Sequence, residues 1–249
     1  MKVIYGSSLP IEDDSDLHGH RQPAMFRESL ARFGIPAENV TLGLPPSNSR
    51  EWVLDIFRRI LSPLPADEIV LLTDAWDVFF CTGLEEIERT YLAFQKPIVF
   101  SMETNLFPPE VARFGAVPRP LGRCTRWRYI NGGQMMGRAG DLLALHEEPD
   151  FWVDGVCNNQ EALNRWWIRH PRCENFATDT CCLLFCALYD NGHMHPRVGT
   201  ALEVRADQRQ HAVPSWRRVR NRETESWPCT IHGNGGFAEH AMSLWRKMR

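Results

Sequence analysis

The chain has 249 residues, with 28 Lys and Arg against 31 Asp and Glu for a net charge of −3, so it lacks the basic field that tracks a phosphate backbone, and nucleic acid is not expected as a partner. A chain of this length buries roughly 70% of its unfolded surface on folding, so its core needs no staples and the 8 cysteines read as reduced thiols of a cytoplasmic protein. The longest unbroken apolar run, 181–189, is far shorter than the roughly 18 residues of a membrane span, and Met1-Lys2 leads straight into a strand pattern, so neither a span nor a leader is expected.

Strand and helix patterns alternate through the first hundred residues, which predicts an α/β layered sheet. Val3-Ile4-Tyr5 reads as a strand ending at Gly6-Ser7-Ser8. Met25, Phe26, Leu30 and Phe33 follow at helical spacing, closed by Gly34 and Pro36. Val40 to Leu44 suits a second strand, and Ser49 can cap a helix carrying Trp52, Val53, Ile56, Phe57 and Ile60 on one face. Ile69-Val70-Leu71-Leu72 has the continuous apolar pattern of a strand covered on both faces, and it delivers Thr73-Asp74 to the end where open α/β sheets bind ligands. Leu84, Ile87 and Tyr91 mark a helix, and Pro97 to Phe100 a strand running into Ser101-Met102-Glu103. Beyond Pro108-Pro109 the alternation loosens: a strand at Tyr129-Ile130 ends in Asn131-Gly132-Gly133, a helix covers Gln160 to His170, and a buried strand covers Leu183 to Leu188. The last helix puts Phe237, Ala241, Leu244, Trp245 and Met248 on one face.

Two segments carry candidate chemistry. In Thr73-Asp74-Ala75-Trp76-Asp77, two carboxylates three apart, leaving a buried strand, can converge on one hard cation with an aromatic ring between them; the alternative is that Asp74 caps the turn and Asp77 is solvated. In Ile231-His232-Gly233-Asn234-Gly235-Gly236, the glycines allow backbone N–H groups to approach a pyrophosphate while His232 offers an imidazole to a metal; the alternative is a glycine-rich turn with a surface histidine. Two carboxylates and one imidazole suit Mn²⁺.

These two segments, with Val99-Phe100-Ser101-Met102-Glu103 ahead of Phe107-Pro108 and Tyr129-Ile130-Asn131-Gly132-Gly133 ahead of Gly137, occur in an order that resembles the glycosyltransferase domain of the procollagen lysyl hydroxylase and galactosyltransferase family, over roughly residues 1 to 240. The resemblance implies a single GT-A-like, Rossmann-like α/β domain over 1–249, with a mostly parallel mixed sheet flanked by helices, a nucleotide-binding half at 1–104 and a sugar and acceptor half at 105–249. It further implies a Mn²⁺ ion, a UDP-sugar donor of glucose or galactose, and a hydroxyl acceptor of unknown kind. By position, Asp74, Asp77 and His232 match the metal ligands and Trp76 the aromatic against the uracil ring. Glu103, Asn131, Asn159 and Gln160 match the sugar pocket, Gly233 and Asn234 approach the pyrophosphate, and Ser7 is a further nucleotide contact. A divalent cation there stabilises the charge developing on the diphosphate leaving group.

The departures also bear on chemistry. Where the family carries acidic residues before a glutamine, this chain has Cys157-Asn158-Asn159-Gln160, and an amide cannot accept a proton as a carboxylate does. Three readings follow: Asp154, Glu161 or Glu103 substitutes, the reaction retains configuration with the leaving phosphate as base, or the protein is a catalytically silent nucleotide-sugar binding module. The lysine after the family's His-Gly-Asn-Gly is replaced by Gly236-Phe237-Ala238, which assigns a phosphate contact to Arg50. Trp152, Trp166 and Trp167 read either as core or as an acceptor platform, and the arginines from Arg217 to Arg222 as a solvated face. The pairs His18/His20 and His193/His195 read as loop histidines, and Cys173, Cys181, Cys182 and Cys186 as packing thiols.

Overall fold

The computed structural model describes residues 1–6, 22–42, 57–118, 126–152, 159–171, 174–188, 201–207 and 217–249. Strand β1 (Lys2–Gly6) lies parallel to β2 (Val40–Leu42) on one side and to β3 (Ile69–Asp74) on the other, with Val3 opposite Val40 and Leu71. Helix α1 (Gln22–Arg32) precedes β2 and buries Met25 and Phe26, as the helical spacing predicts. The apolar run of β3 is buried at Val70 and Leu71, which carries the chain to Thr73 and Asp74 at the strand's C-terminal end. Strand β4 (Val78–Phe80), helix α2 (Leu84–Ala93) and the fully buried β5 (Ile98–Glu103) follow.

The principal sheet has six strands in the order β2-β1-β3-β6-β5-β7, where β6 is Tyr129–Arg138 and β7 is Phe176–Thr178. Most of its neighbours are parallel, but β6 enters antiparallel between β3 and β5. The expectation that the strand stops at Asn131-Gly132-Gly133 is corrected: β6 runs on to Arg138. Gly137 is paired on both edges, with Val70 of β3 and Ile98 of β5, which compensates its weak strand preference, and Met135 and Met136 fill the core between it and Gly132-Gly133. The register with β5 shifts between Phe100 and Met102, next to the glycines.

A second sheet places β11 (Thr230–His232) between β4 and β8 (Phe185–Ala187), antiparallel to the first and parallel to the second. Asp179 sets the entry to β8, its carboxylate accepting the backbone N–H groups of Leu183 at 2.8 Å, Leu184 at 2.7 Å and Phe185 at 2.9 Å. Strands β9 (Leu202–Ala206) and β10 (Arg217–Asn221) form an antiparallel ribbon. Arg218 corrects the expectation of a solvated arginine face, since it is 1% exposed and ion-paired with Glu86 at 2.8 Å and Asp207 at 3.1 Å. Its neighbour Arg220 pairs with Glu203 and Glu225.

Helices α3 (Ala139–Glu147) and α4 (Asn159–Arg169) pack on the β6 side, and α5 (Ala238–Met248) closes the chain with Ala241, Leu244, Trp245 and Met248 buried. Trp152, Trp166 and Trp167 are each 3% exposed, so of the two readings core packing holds and they offer no acceptor platform. No helix among the described residues is long and apolar enough to cross a membrane.

His146 of α3 is fully buried, with its ring stacked on Phe57 at 3.7 Å and Nδ1–H donating to the Leu142 carbonyl at 2.8 Å. Burial disfavours the charged ring and pushes its pKa down to about 4 from 6.5. The unfolded chain therefore binds a proton here at a pH where the folded chain does not. The contribution is complete above pH 6.5 and is lost as pH falls through about 4, a loss of up to about 3 kcal/mol. Urea midpoints at neutral pH and near pH 4 are expected to fall accordingly in the wild type, and His146→Met is expected to flatten the fall; an equal fall in both proteins would overturn the assignment.

Candidate metal and donor site

The turn after β3 and the end of β11 meet because β11 pairs with β4: His232 lies opposite Val78, and the Gly233 N–H donates to the Asp77 carbonyl at 2.7 Å. That register brings His232 Nε2 to 3.2 Å from Asp77 Oδ1 and 3.4 Å from Asp74 Oδ2. The three groups form a set whose ligand atoms all lie within 4.8 Å of one another. Asp74 is 52% exposed, Asp77 19% and His232 3%, so the set is anchored in the protein and open on the Asp74 side. Burial opposes a charge on His232, but the carboxylates of Asp77 and Asp74 outweigh it and push the ring up to about 10.

Gly133 of β6 backs this set closely. A Cβ at that position would sit 2.3 Å from His232 Cε1 and 2.5 Å from Asp74 Oδ2, so only a residue without a side chain fits. Trp76, between the two aspartates, is partly buried, and its Nε1–H makes no hydrogen bond among the described residues.

Behind the histidine lies a buried polar cage centred on Glu103, which is 1% exposed at the end of β5. Asn131 donates to its Oε2 at 3.2 Å, Asn234 donates to the same oxygen at 2.6 Å, and Gln160 donates to Oε1. Burial pushes the Glu103 carboxyl up to about 7, against the pull of Asn131, Gln160, His232 and Asn234. Asn131 Oδ1 in turn lies 3.1 Å from His232 Nδ1.

The remaining expected residues divide clearly. Asn159 directs its side chain toward His146. Glu161 is buried in an ion pair with Arg165 at 3.2 Å. The missing side chain of Gly233 is accounted for by packing, since a Cβ there would lie 2.8 Å from Ala241 Cβ and from the Phe237 carbonyl oxygen. Asn234 spans Glu103 and the Leu188 N–H, the latter at 3.0 Å. Gly235 and Gly236 adopt φ of 62° and 95°, conformations that glycine takes at no steric cost. Ser7, Arg50, Asp154 and Asn158 lie outside the described residues, as do Cys157, Cys173 and the four loop histidines.

Sequence reasoning missed Gln134. This fully buried side chain of β6 donates to Thr73 Oγ1 at 3.1 Å and Thr230 Oγ1 at 3.0 Å, and so ties the strand that carries Asp74 to the strand that carries His232. The available signal was a lone amide ahead of the apolar Met135-Met136 pair. A second group of possible ligands, Glu148, Asp150 and His170, is already balanced internally: His170 Nε2 lies 2.7 Å and Arg169 Nε 3.6 Å from Asp150, and Trp166 Nε1 donates to Glu148.

A family model described as the PLOD GT domain matches residues 51–244. The uncharacterized protein R699 of Acanthamoeba polyphaga mimivirus is 26% identical over 179 residues, covering 70% of this chain and 33% of that protein. A procollagen-lysine,2-oxoglutarate 5-dioxygenase of Drosophila melanogaster is 29% identical over 98 residues, covering 39% of this chain and 13% of that enzyme. The chain thus spans a third or less of either relative's length. Among solved structures, a glycosyltransferase involved in glycosylation of the major capsid of PBCV-1 matches with a TM-score of 0.44 at 10% identity, over 98% of each chain. Galactosyltransferase LgtC in complex with donor and acceptor sugar analogs matches with a TM-score of 0.45 at 11% identity, over 100% of this chain and 96% of that one.

Proposed function

Because the chain belongs to the PLOD GT domain family, we propose that it is a metal-dependent glycosyltransferase of GT-A type, moving a hexose, glucose or galactose, from a UDP-sugar to a hydroxyl acceptor. The observation that carries this reading is the convergence of Asp74, Asp77 and His232 from two different sheets onto one point open to solvent.

The residues fit a divalent cation of the Mn²⁺ class. Two carboxylate oxygens and one imidazole nitrogen are a suitable donor set, the ring is held from behind by Asn131, and the exposed face of Asp74 leaves room for oxygens of a diphosphate. Asp74, Asp77 and His232 would hold the ion, which supplies charge neutralisation to the departing diphosphate.

The chain's own residues do the rest. Trp76, carried between the two aspartates, offers a ring face to the uracil, and Gly133 lets the two halves of the ligand set meet without a side chain between them. The glycine turn at Gly235-Gly236 exposes backbone N–H groups to the phosphates, with Arg50 as a further phosphate contact and Ser7 as a further nucleotide contact. Glu103 and Glu161 are committed to buried partners, so the acceptor's proton goes to Asp154 or to the leaving phosphate.

Thermal unfolding with UDP, UDP-glucose, UDP-galactose and non-uridine nucleotides, with and without Mn²⁺, tests this reading. Ligand at about 100 times its dissociation constant adds roughly 2.7 kcal/mol, which at about 2 to 4 °C per kcal/mol is a shift of about 5 to 11 °C. The expected result is a Mn²⁺-dependent shift confined to uridine nucleotides; its absence overturns the donor site. Donor hydrolysis over many turnovers without acceptor then separates an active transferase from a silent binding module.

A further inference from the structure

The three amides around Glu103 share one arrangement. Each donates its NH₂ group to the carboxylate and accepts a backbone N–H on its oxygen: Asn131 from Gly133 at 3.0 Å, Gln160 from Gly132 at 3.0 Å, and Asn234 from Leu188 at 3.0 Å. The backbone donors fix which end of each amide is oxygen, because a flipped amide would set NH₂ against N–H. The centre of the cage must then accept from three donors and offer none, which a carboxylate does and an amide or hydroxyl does not. Glu103 lies 28 residues from Asn131 and 131 from Asn234, so the cage locks β5, β6, α4 and the segment after β11 together.

The orientation of Asn131 has a consequence for His232. Its Oδ1, fixed by Gly133 on one side and by the Glu103 contact of its NH₂ on the other, faces His232 Nδ1 at 3.1 Å. An oxygen already accepting a backbone N–H can only accept from that ring nitrogen, so Nδ1 carries a proton. Nε2 is then the nitrogen turned to Asp74 and Asp77.

We infer that Glu103 and Asn131 are positioning residues that hold His232 as the Nδ1–H tautomer, so that its Nε2 lone pair is aimed at the point between Asp74 and Asp77 where the cation binds. The inference rests on the metal-site reading and reassigns two residues that the resemblance places against the sugar. Carboxylate, amide, imidazole and metal form a longer version of the carboxylate–histidine–metal relay, with the amide as a spacer that reverses donor and acceptor. Gln160 and Asn234 complete the carboxylate's coordination and keep it from turning away.

The test uses the full chain labelled with ¹⁵N-histidine, saturated with UDP and diamagnetic Mg²⁺ for long-range ¹H–¹⁵N correlation, and titrated separately with Mn²⁺ in the presence of UDP by electron paramagnetic resonance of the free ion. In the wild type, His232 is expected to show a protonated Nδ1 and an unprotonated Nε2. Asn131→Leu and Glu103→Gln are expected to lose that single tautomer and to weaken Mn²⁺ binding about 10- to 100-fold. Glu103→Gln contacts neither the ring nor the ion, and it decides the matter if Asn131→Leu fails to fold. Wild-type His232 protonated on Nε2 in the Mg²⁺ and UDP complex, or both variants binding Mn²⁺ within about twofold of wild type with Nδ1 still protonated in that complex, overturns the relay and leaves the metal site standing. A wild type that binds no Mn²⁺ overturns both.

Discussion

Gly133→Ala is expected to keep the fold and lose the site. The residue lies inside β6, next to Gln134, which pairs with Thr73 of β3, and its backbone has no need of glycine's conformational freedom. What forbids a side chain is space: the added carbon would lie 2.3 Å from His232 Cε1 and 2.5 Å from Asp74 Oδ2, inside any real contact distance. Asp74 is half exposed and can swing outward, but His232 is pinned by Asn131 behind and by β11 along its backbone. Relief by moving Asp74 separates the ligands, and relief by moving His232 breaks its bond to Asn131. A displacement of about 1 Å at such a site costs on the order of 10²-fold in rate, and overpacking costs about 1 to 3 kcal/mol of stability. Turnover of a UDP-sugar and Mn²⁺ affinity measured beside the thermal midpoint check this. Turnover within a few-fold of wild type would show that the convergence of Asp74 and His232 is not the working arrangement.

Asp77→Asn is expected to abolish Mn²⁺-dependent donor binding and turnover while the protein still folds. Its Oδ1 is the carboxylate oxygen nearest His232 Nε2, at 3.2 Å, and its charge acts on the ring more strongly than that of Asp74. The substitution removes a full negative charge from the ligand set and leaves the side chain's volume unchanged. The cation's contribution to the leaving group is worth several kcal/mol, so the loss in rate is about 10³-fold or more. Asp77 is 19% exposed and its backbone carbonyl, which accepts from Gly233, is untouched by the change. The thermal midpoint without ligand is expected to fall at neutral pH, because the buried His232 ring loses the carboxylate that most favours its charge, while the shift produced by UDP with Mn²⁺ disappears. Retention of that shift and of turnover would remove Asp77 from the ligand set.

Much of the architecture was legible because it is local. The apolar run at Ile69 to Leu72, the helical spacing of Met25, Phe26, Leu30 and Phe33, and the face that buries Ala241, Leu244, Trp245 and Met248 each follow from a period read within one segment. Asp74 and Asp77 were legible for the same reason, since three residues across a turn keep two carboxylates within reach of one point. Helix α3 passed unread because its apolar positions surround most of its circumference and give little periodic contrast.

What the sequence by itself determined is therefore the α/β character, the strand that delivers Asp74, and the residue types of the Asp74, Asp77 and His232 cluster. Only the tertiary structure decided how those types are used. Asn131 and His232 are 101 residues apart, Thr230 and Gln134 96 apart, and Asn234 and Glu103 131 apart. Such pairs are brought together by strand register, above all the antiparallel entry of β6 and the pairing of β11 with β4, and no period along the chain encodes a register between distant strands. The same holds for Trp166 and Arg218: the sequence leaves Trp166 open between core and ring platform and reads Arg218 as a solvated cation, and packing buries the first and pairs the second, because burial is decided by the neighbours a side chain meets once the sheets have formed.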